Sequence, residues 1–162
     1  MIPAEADSVG IMMTVITRMG TAYISRRLEQ YGVRGGSHAF LLAVVDNPGI
    51  NQDALSGHFR LHKANVTRGI ASLIEKGLVI REQDTDDRRA YRLFATEKGK
   101  SLAPRFREVL QEWDDQVLAG LTSDNQRHLK AMLGTLVQAS QQVLEESTED
   151  PQAGSFDALP GE

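Results

Sequence analysis

Apolar residues recur at helical spacing from Val9 to Tyr31, with Val9, Met12, Met13, Ile16, Met19, Tyr23 and Leu28 near one stripe. The pattern predicts a long first helix. Gly32, Gly35 and Gly36 interrupt it, and Ser37 is placed to cap a short second helix. The almost wholly apolar run from Phe40 to Val45 requires that helix to be buried, and Asn47-Pro48-Gly49 ends it. Asn51 can cap a third helix over 52–59 that turns Ala54, Leu55 and Phe59 inward. After a turn at Arg60-Leu61, a fourth helix is predicted from about His62 to Lys76. It buries Val66, Ile70, Leu73 and Ile74, and Gly77 stops it.

The period then changes. Leu78 to Gln83 and Ala90 to Ala95 are rich in β-branched, aromatic and aliphatic residues and bracket the polar loop Asp84 to Arg89, which reads as a β-hairpin. Thr96 and Glu97 open a fifth helix with a stripe of Leu102, Phe106, Val109, Leu110, Trp113, Val117 and Leu121, and Pro104 inside it is expected to bend it. A last helix begins at Thr122-Ser123, where Ser123-Asp124-Asn125-Gln126 fits a capping box, and Leu129, Met132, Leu133, Leu136, Val137, Val143 and Leu144 line one face. The segment after Glu146 is acidic, small and punctuated by Pro and Gly, the composition of a disordered tail.

The order predicts a mainly helical α+β fold, a winged helix-turn-helix over 37–96 between long helices at 8–36 and 97–146, with an acidic tail over 147–162. At 162 residues there is room for one small domain with helical extensions and not for two enzyme domains.

Charge is unevenly placed. The net charge is −4, yet residues 60–107 hold 12 Lys/Arg against 6 Asp/Glu, residues 1–59 hold 4 against 5, and residues 108–162 hold 2 against 11. A positive middle suggests one face that meets phosphate while the rest keeps the molecule soluble. The sequence has no Cys, so disulfides, thiolate metal sites and cysteine peroxide sensing are excluded. No apolar run approaches the roughly 20 residues that span a membrane. The acidic first residues lack the basic start of a secretory signal, so a cytoplasmic location is expected.

Residues 50–68 have the layout of a helix-turn-helix whose second helix fits the major groove. Its first two turns expose His62, Lys63, Ala64, Asn65, Thr67 and Arg68. Arg and Lys suit guanine edges, Asn suits adenine, and Thr reaches a phosphate or a thymine methyl. Asn51 and Gln52, at the start of the preceding helix, are further DNA-binding candidates. Taken alone, the same residues could form the solvated face of a surface helix. At the hairpin tip, Arg88 and Arg89 have a shape that can enter a minor groove, and the neighbouring aspartates can hold an arginine in its reaching rotamer.

From Gly49 to Ser101 the chain resembles the winged helix of the MarR (multiple antibiotic resistance regulator) family. The matching residues are Gln52-Asp53-Ala54-Leu55, Asn65-Val66-Thr67-Arg68, Leu73-Ile74-Glu75-Lys76-Gly77-Leu78-Val79, Asp87-Arg88-Arg89 and Thr96-Glu97-Lys98-Gly99. The resemblance, with its flanking helices, covers about 8–146. It implies that Asn65, Thr67 and Arg68 lie on a recognition helix and that Arg89 is a minor-groove arginine positioned by Asp87. Ala64 and Asn65 stand where the family often has small hydroxyl residues, and Ala95 stands where a Leu is usual.

The long helices carry more apolar stripe than one winged helix can cover, so a homodimer is expected, with two recognition helices one DNA turn apart. The family resemblance also implies release from DNA by a small phenolic or anionic aromatic effector, with repression the commoner outcome. Arg18, the only Lys or Arg before residue 26, is a candidate anchor for such a carboxylate, or else an interface ion pair. His38, His58, His62 and His128 show no metal-ligand spacing, and Asp84-x-Asp86 lacks the rest of a calcium loop, so no metal or cofactor is expected. No nucleophile-base pair or phosphate loop appears, so no enzymatic activity is expected. The remaining rival is a winged-helix protein–protein module without a DNA role.

Overall fold

The computed structural model describes residues 8–33, 36–84 and 90–149, and side chains up to residue 146. The chain forms two compact units, residues up to 116 and residues from 117 on.

In the first unit, α1 (Val9–Leu28) continues into a 3₁₀ turn (Glu29–Tyr31) that Gly32 ends at φ 71°, a left-handed conformation glycine adopts without steric cost. Only its last turns enter the core, through Ile24 and Leu28. Val9, Met12, Met13, Ile16 and Met19, the start of the expected stripe, are exposed in the single chain. Next, α2 (Ser37–Asp46) is buried along Phe40, Leu41, Ala43 and Val44, as its apolar run requires. Its cap differs from expectation: Gly36, at φ 81°, takes the cap position and Ser37 is the first helical residue, because the chain must enter α2 through a left-handed residue.

Asn51 caps α3 (Gln52–Phe59), its Oδ1 accepting from the Ala54 N–H at 2.7 Å. The inward residues of α3 are Leu55 and Ser56, with Phe59 half-buried, while Ala54 is exposed. Ser56 tolerates burial because its hydroxyl donates to the Gln52 carbonyl at 2.9 Å. In α4 (Lys63–Glu75) the buried stripe is Val66, Ile70 and Leu73. The expected fourth member, Ile74, is 36% exposed, since it continues the stripe into the last turn of the helix, where the cover ends. Gly77, at φ 66°, closes α4 in a Schellman motif, with Leu78 N–H bonding Leu73 C=O and Gly77 N–H bonding Ile74 C=O, both at 2.9 Å.

Strands β1 (Val79–Gln83) and β2 (Tyr91–Ala95) form the antiparallel wing, pairing Val79 with Ala95 and Arg81 with Leu93. Ile50 adds a short bridge to Leu93 and ties the wing base to the start of α3. Ala95 is buried opposite Val79, so a small residue suffices there. Thr96 joins the wing to α5 (Glu97–Leu118): its hydroxyl donates to the Gly77 carbonyl at 2.7 Å and accepts from the Gly99 N–H at 3.0 Å. The helix runs unbroken through Pro104. Its Phe106 and Val109 complete a core with Leu28, Leu41, Val44, Leu55, Ile70 and Leu93. Burying each such side chain favours folding by about 1.5–3 kcal/mol.

Outside the core, Glu112 on α5 accepts from Arg105 at 3.0 Å and from Arg27 on α1. These two cations, Arg105 first, hold the Glu112 carboxyl below its ordinary range.

In the second unit, α6 (Ser123–Glu149) follows the end of α5. Its cap is Thr122, whose hydroxyl accepts from Asn125 N–H at 3.3 Å. This places the cap one residue before the expected capping box, and Gln126 instead donates to the carbonyls of Leu118 at 3.0 Å and Leu121 at 3.2 Å, satisfying the end of α5. Leu121 therefore lies in the turn rather than in the fifth helix. The last helix continues to Glu149, three residues into the segment expected to be a tail, and residues 150–162 lie outside those described. Among the described residues no helix is long and apolar enough to cross a membrane.

Candidate nucleic-acid interface

Burying Val66, Ile70 and Leu73 on one side of α4 leaves Lys63, Ala64, Asn65, Thr67 and Arg68 exposed on the other. The helix is held in this rotation by α2: Gly69 lies against the Phe40 ring, where an added Cβ would meet Cε2 at 2.5 Å. The turn between α3 and α4 bends at Arg60, at φ 50° the one non-glycine residue with positive φ among those described. His62 then takes the position before α4, exposed and without a side-chain cap bond.

The structure brings most of the expected α3 and α4 residues together. Thr67 donates its hydroxyl to Gln52 Oε1 at 3.3 Å, Arg68 donates to Asn65 Oδ1 at 2.5 Å, and Lys63 Nζ lies 2.8 Å from Asp53 Oδ1. These exposed pairs are worth little in stability, about 0–1 kcal/mol for the ion pair, so a ligand can exchange them for its own contacts at small cost. Asn51 differs, because its side-chain oxygen is committed to the cap of α3 and leaves only the amide NH₂ outward.

The wing stem closes at Asp84, whose N–H bonds the Ala90 carbonyl at 3.0 Å and whose carboxylate accepts from Arg92 Nε at 2.6 Å. The wing-tip candidates Asp87, Arg88 and Arg89 lie outside the described residues. Arg18 is exposed on α1, a different element from the helix-turn-helix cluster. Three residues were missed: Asp53, which pairs with Lys63, and Arg81 and Tyr91, which face the cleft beside α3. The strand period could have found the last two, since Arg81 is two residues beyond buried Val79 and Tyr91 two before buried Leu93. Among the described residues no cluster of three or more His, Asp or Glu side chains could hold a metal ion.

Residues 37–91, from the start of α2 to the start of β2, match the MarR family. The chain is similar to an uncharacterized HTH-type transcriptional regulator, YybA, of Bacillus subtilis, at 29% identity over 98 residues. That stretch is 60% of this chain and 65%, just under two thirds, of the Bacillus protein. A putative MarR family regulator from Listeria monocytogenes, solved in complex with a 26mer DNA, shares the fold at TM-score 0.83 and 20% identity, covering 91% of this chain and 99% of that one. The crystal structure of a MarR transcriptional regulator from Methanosarcina mazei superposes at TM-score 0.79 with 31% identity, covering 83% of this chain and 97% of the archaeal one. That degree of identity across nearly the whole length of a relative, with the winged helix-turn-helix already built from its own residues, places this chain in the MarR family.

Proposed function

We propose that this chain binds duplex DNA in a sequence-specific way as a homodimer and regulates transcription, most simply as a repressor. The carrying observation is the outward face of α4, where Lys63, Asn65, Thr67 and Arg68 project from a helix locked by Val66, Ile70 and Leu73. Such a helix fits the major groove, which is about 12 Å wide, and these side chains match its base edges and phosphates. Asn51, Gln52 and His62 flank the same groove edge. Arg88 and Arg89 extend the reading to the minor groove, with Asp87 orienting Arg89.

A second copy covers the apolar residues exposed along α1 and, in the other unit, those along α6. Two-fold symmetry then sets the recognition helices one turn apart on a pseudo-palindrome, with half-sites roughly 10 bp between centres. A small phenolic or anionic aromatic compound, anchored by Arg18, releases the DNA.

The test is enrichment of random duplexes with the purified protein, followed by titration of the enriched site across salt. An inverted repeat bound with a steep negative salt dependence is expected. Absence of enrichment with no salt-dependent binding favours a protein–protein module instead. Displacement of the bound duplex by a hydroxybenzoate, lost in Arg18→Ala, tests the effector arm.

A further inference from the structure

The side of the hairpin that packs on the core carries Val79 and Ala95 at its base and Leu93 in its middle, all buried. On the same side Arg81, directly across from Leu93, and Tyr91, one step beyond Leu93, are both exposed. A cation and an aromatic ring therefore extend the core side of the wing beyond the core, toward the helix-turn-helix. The Arg81 guanidinium carbon lies 4.2 Å from the centre of the Tyr91 ring, close enough for a cation–π stack. Among the described residues no carboxylate pairs with Arg81. By contrast, Arg92, on the other side of the hairpin, is paired with Asp84.

The placement of Arg81 adds a second, independent observation. With Gln52 it lines two adjoining clefts. One, of about 640 Å³, reaches Thr67 on α4, and the other, of about 200 Å³, reaches Asn51 and Tyr91. Arg81 thus stands between the face of α4 and the stem of the wing. A duplex read by α4 in one groove and by the wing in the next must carry its backbone across that junction. A guanidinium stacked flat on an aromatic ring keeps its N–H edges free for a bidentate phosphate contact, and its rotamer is already largely fixed.

We infer that Arg81 is a backbone-phosphate contact at the crossing between the two grooves and that Tyr91 is the residue that positions it. This rests on the DNA-binding reading above. Arg81 touches the phosphate. Tyr91 acts only through Arg81, so removing its ring loosens the contact without removing a charge.

The experiment compares Arg81→Ala, Arg81→Lys, Tyr91→Ala and Tyr91→Phe with the unmodified full chain, on the enriched duplex and on an unrelated duplex, across a series of KCl concentrations. Arg81→Ala is expected to weaken both duplexes by a similar factor, on the order of ten-fold, and to lower the salt slope by about one. Arg81→Lys keeps the slope, because the charge remains. Tyr91→Ala weakens both duplexes by roughly three-fold with the slope unchanged, and Tyr91→Phe restores the loss, because the ring alone makes the stack. Thermal unfolding of each variant separates these effects from misfolding.

Unmodified protein that binds DNA, with Arg81→Ala matching it in affinity and slope, overturns the inference and leaves the DNA-binding reading standing. A loss confined to the enriched sequence also overturns it, since a phosphate contact is blind to sequence. Unmodified protein that binds no duplex defeats both readings together.

Discussion

Gly99 lies against the carbonyl of Leu78, so closely that a Cβ built at residue 99 would meet that oxygen at 2.2 Å and the carbonyl carbon at 3.1 Å. The oxygen has little room to move, because it also accepts from the Thr96 N–H at 3.0 Å while the Leu78 side chain is fully buried. This contact fixes where α5 leaves the base of the wing.

Gly99→Ala is therefore expected to destabilise the fold by on the order of 1–3 kcal/mol, the usual cost of overpacking, with α5 and the wing shifted apart. Urea denaturation followed by circular dichroism measures it. Gly57→Ala is the control: nothing lies within 4 Å of a Cβ there, and the change is expected to stabilise α3 by about 0.5–1 kcal/mol. Equal midpoints for the two variants would contradict the steric account.

The elements were legible because two different periods write them. Val66, Ile70 and Leu73 recur at helical spacing, whereas Val79 and Ala95, and likewise Leu93, follow the two-residue period of a strand packed on one side. Knowing which apolar residues α4 buries also fixes which polar residues it exposes, so Lys63, Asn65, Thr67 and Arg68 were accessible from sequence. What failed depended on backbone dihedrals or on where packing stops. Ser37 has the chemistry of a cap, but the chain enters α2 in a left-handed conformation that Gly36 supplies. Ile74 continues the apolar pattern of α4 past the point where neighbours cover it, and instead lines the cleft beside Arg81. Arg81 and Tyr91 keep the two-residue period of the hairpin's core side, which the sequence shows, but the point along it where cover ends is not written in that period.

His38 supplies a pH dependence. It is buried on α2, and burial holds its imidazole below the ordinary value of 6.5. Above pH 6.5 both folded and unfolded chains carry it neutral, and it makes no difference. Below that pH the unfolded chain takes up the proton first, so stability falls as pH decreases, by at most about 1.4 kcal/mol per pH unit, until the folded value is passed. Denaturation at pH 7.5 and 5.5 should show this loss, and His38→Gln should shrink the difference. A His38→Gln variant with the same pH slope as the unmodified chain would count against it.

Lys63 and Asp53 form an ion pair at 2.8 Å, with their side chains 76% and 70% exposed. Approach of a phosphate replaces this weak partner and leaves Asp53 as a nearby repulsive charge. Asp53→Asn is accordingly expected to raise DNA affinity by roughly two- to five-fold at low salt, and Lys63→Ala to lower it and reduce the salt slope by about one. Salt titrations on the enriched duplex test both. An Asp53→Asn variant that binds more weakly would show that the pair positions Lys63 rather than restraining it.

The proposed homodimer rests on the apolar residues that the single chain leaves exposed. Met12, Ile16 and Met19 on α1 are 44%, 53% and 61% exposed, and in the second unit α6 exposes Met132, Val137 and Val143. Exposed apolar stripes of this length are the surface that a second copy would cover in the proposed dimer. Because Ile16 makes little contact within its own chain, Ile16→Glu should leave the monomer fold intact while placing an uncompensated carboxylate in the subunit contact, which costs several kcal/mol there. Sedimentation at micromolar protein should show the unmodified chain as a dimer and Ile16→Glu as a folded monomer. The monomer should bind DNA at least ten-fold more weakly, because the second half-site no longer arrives at high effective concentration. Should Ile16→Glu remain a dimer with full affinity, the subunit contact lies away from α1, and the two-fold arrangement proposed for the recognition helices has to be rebuilt on α6 alone.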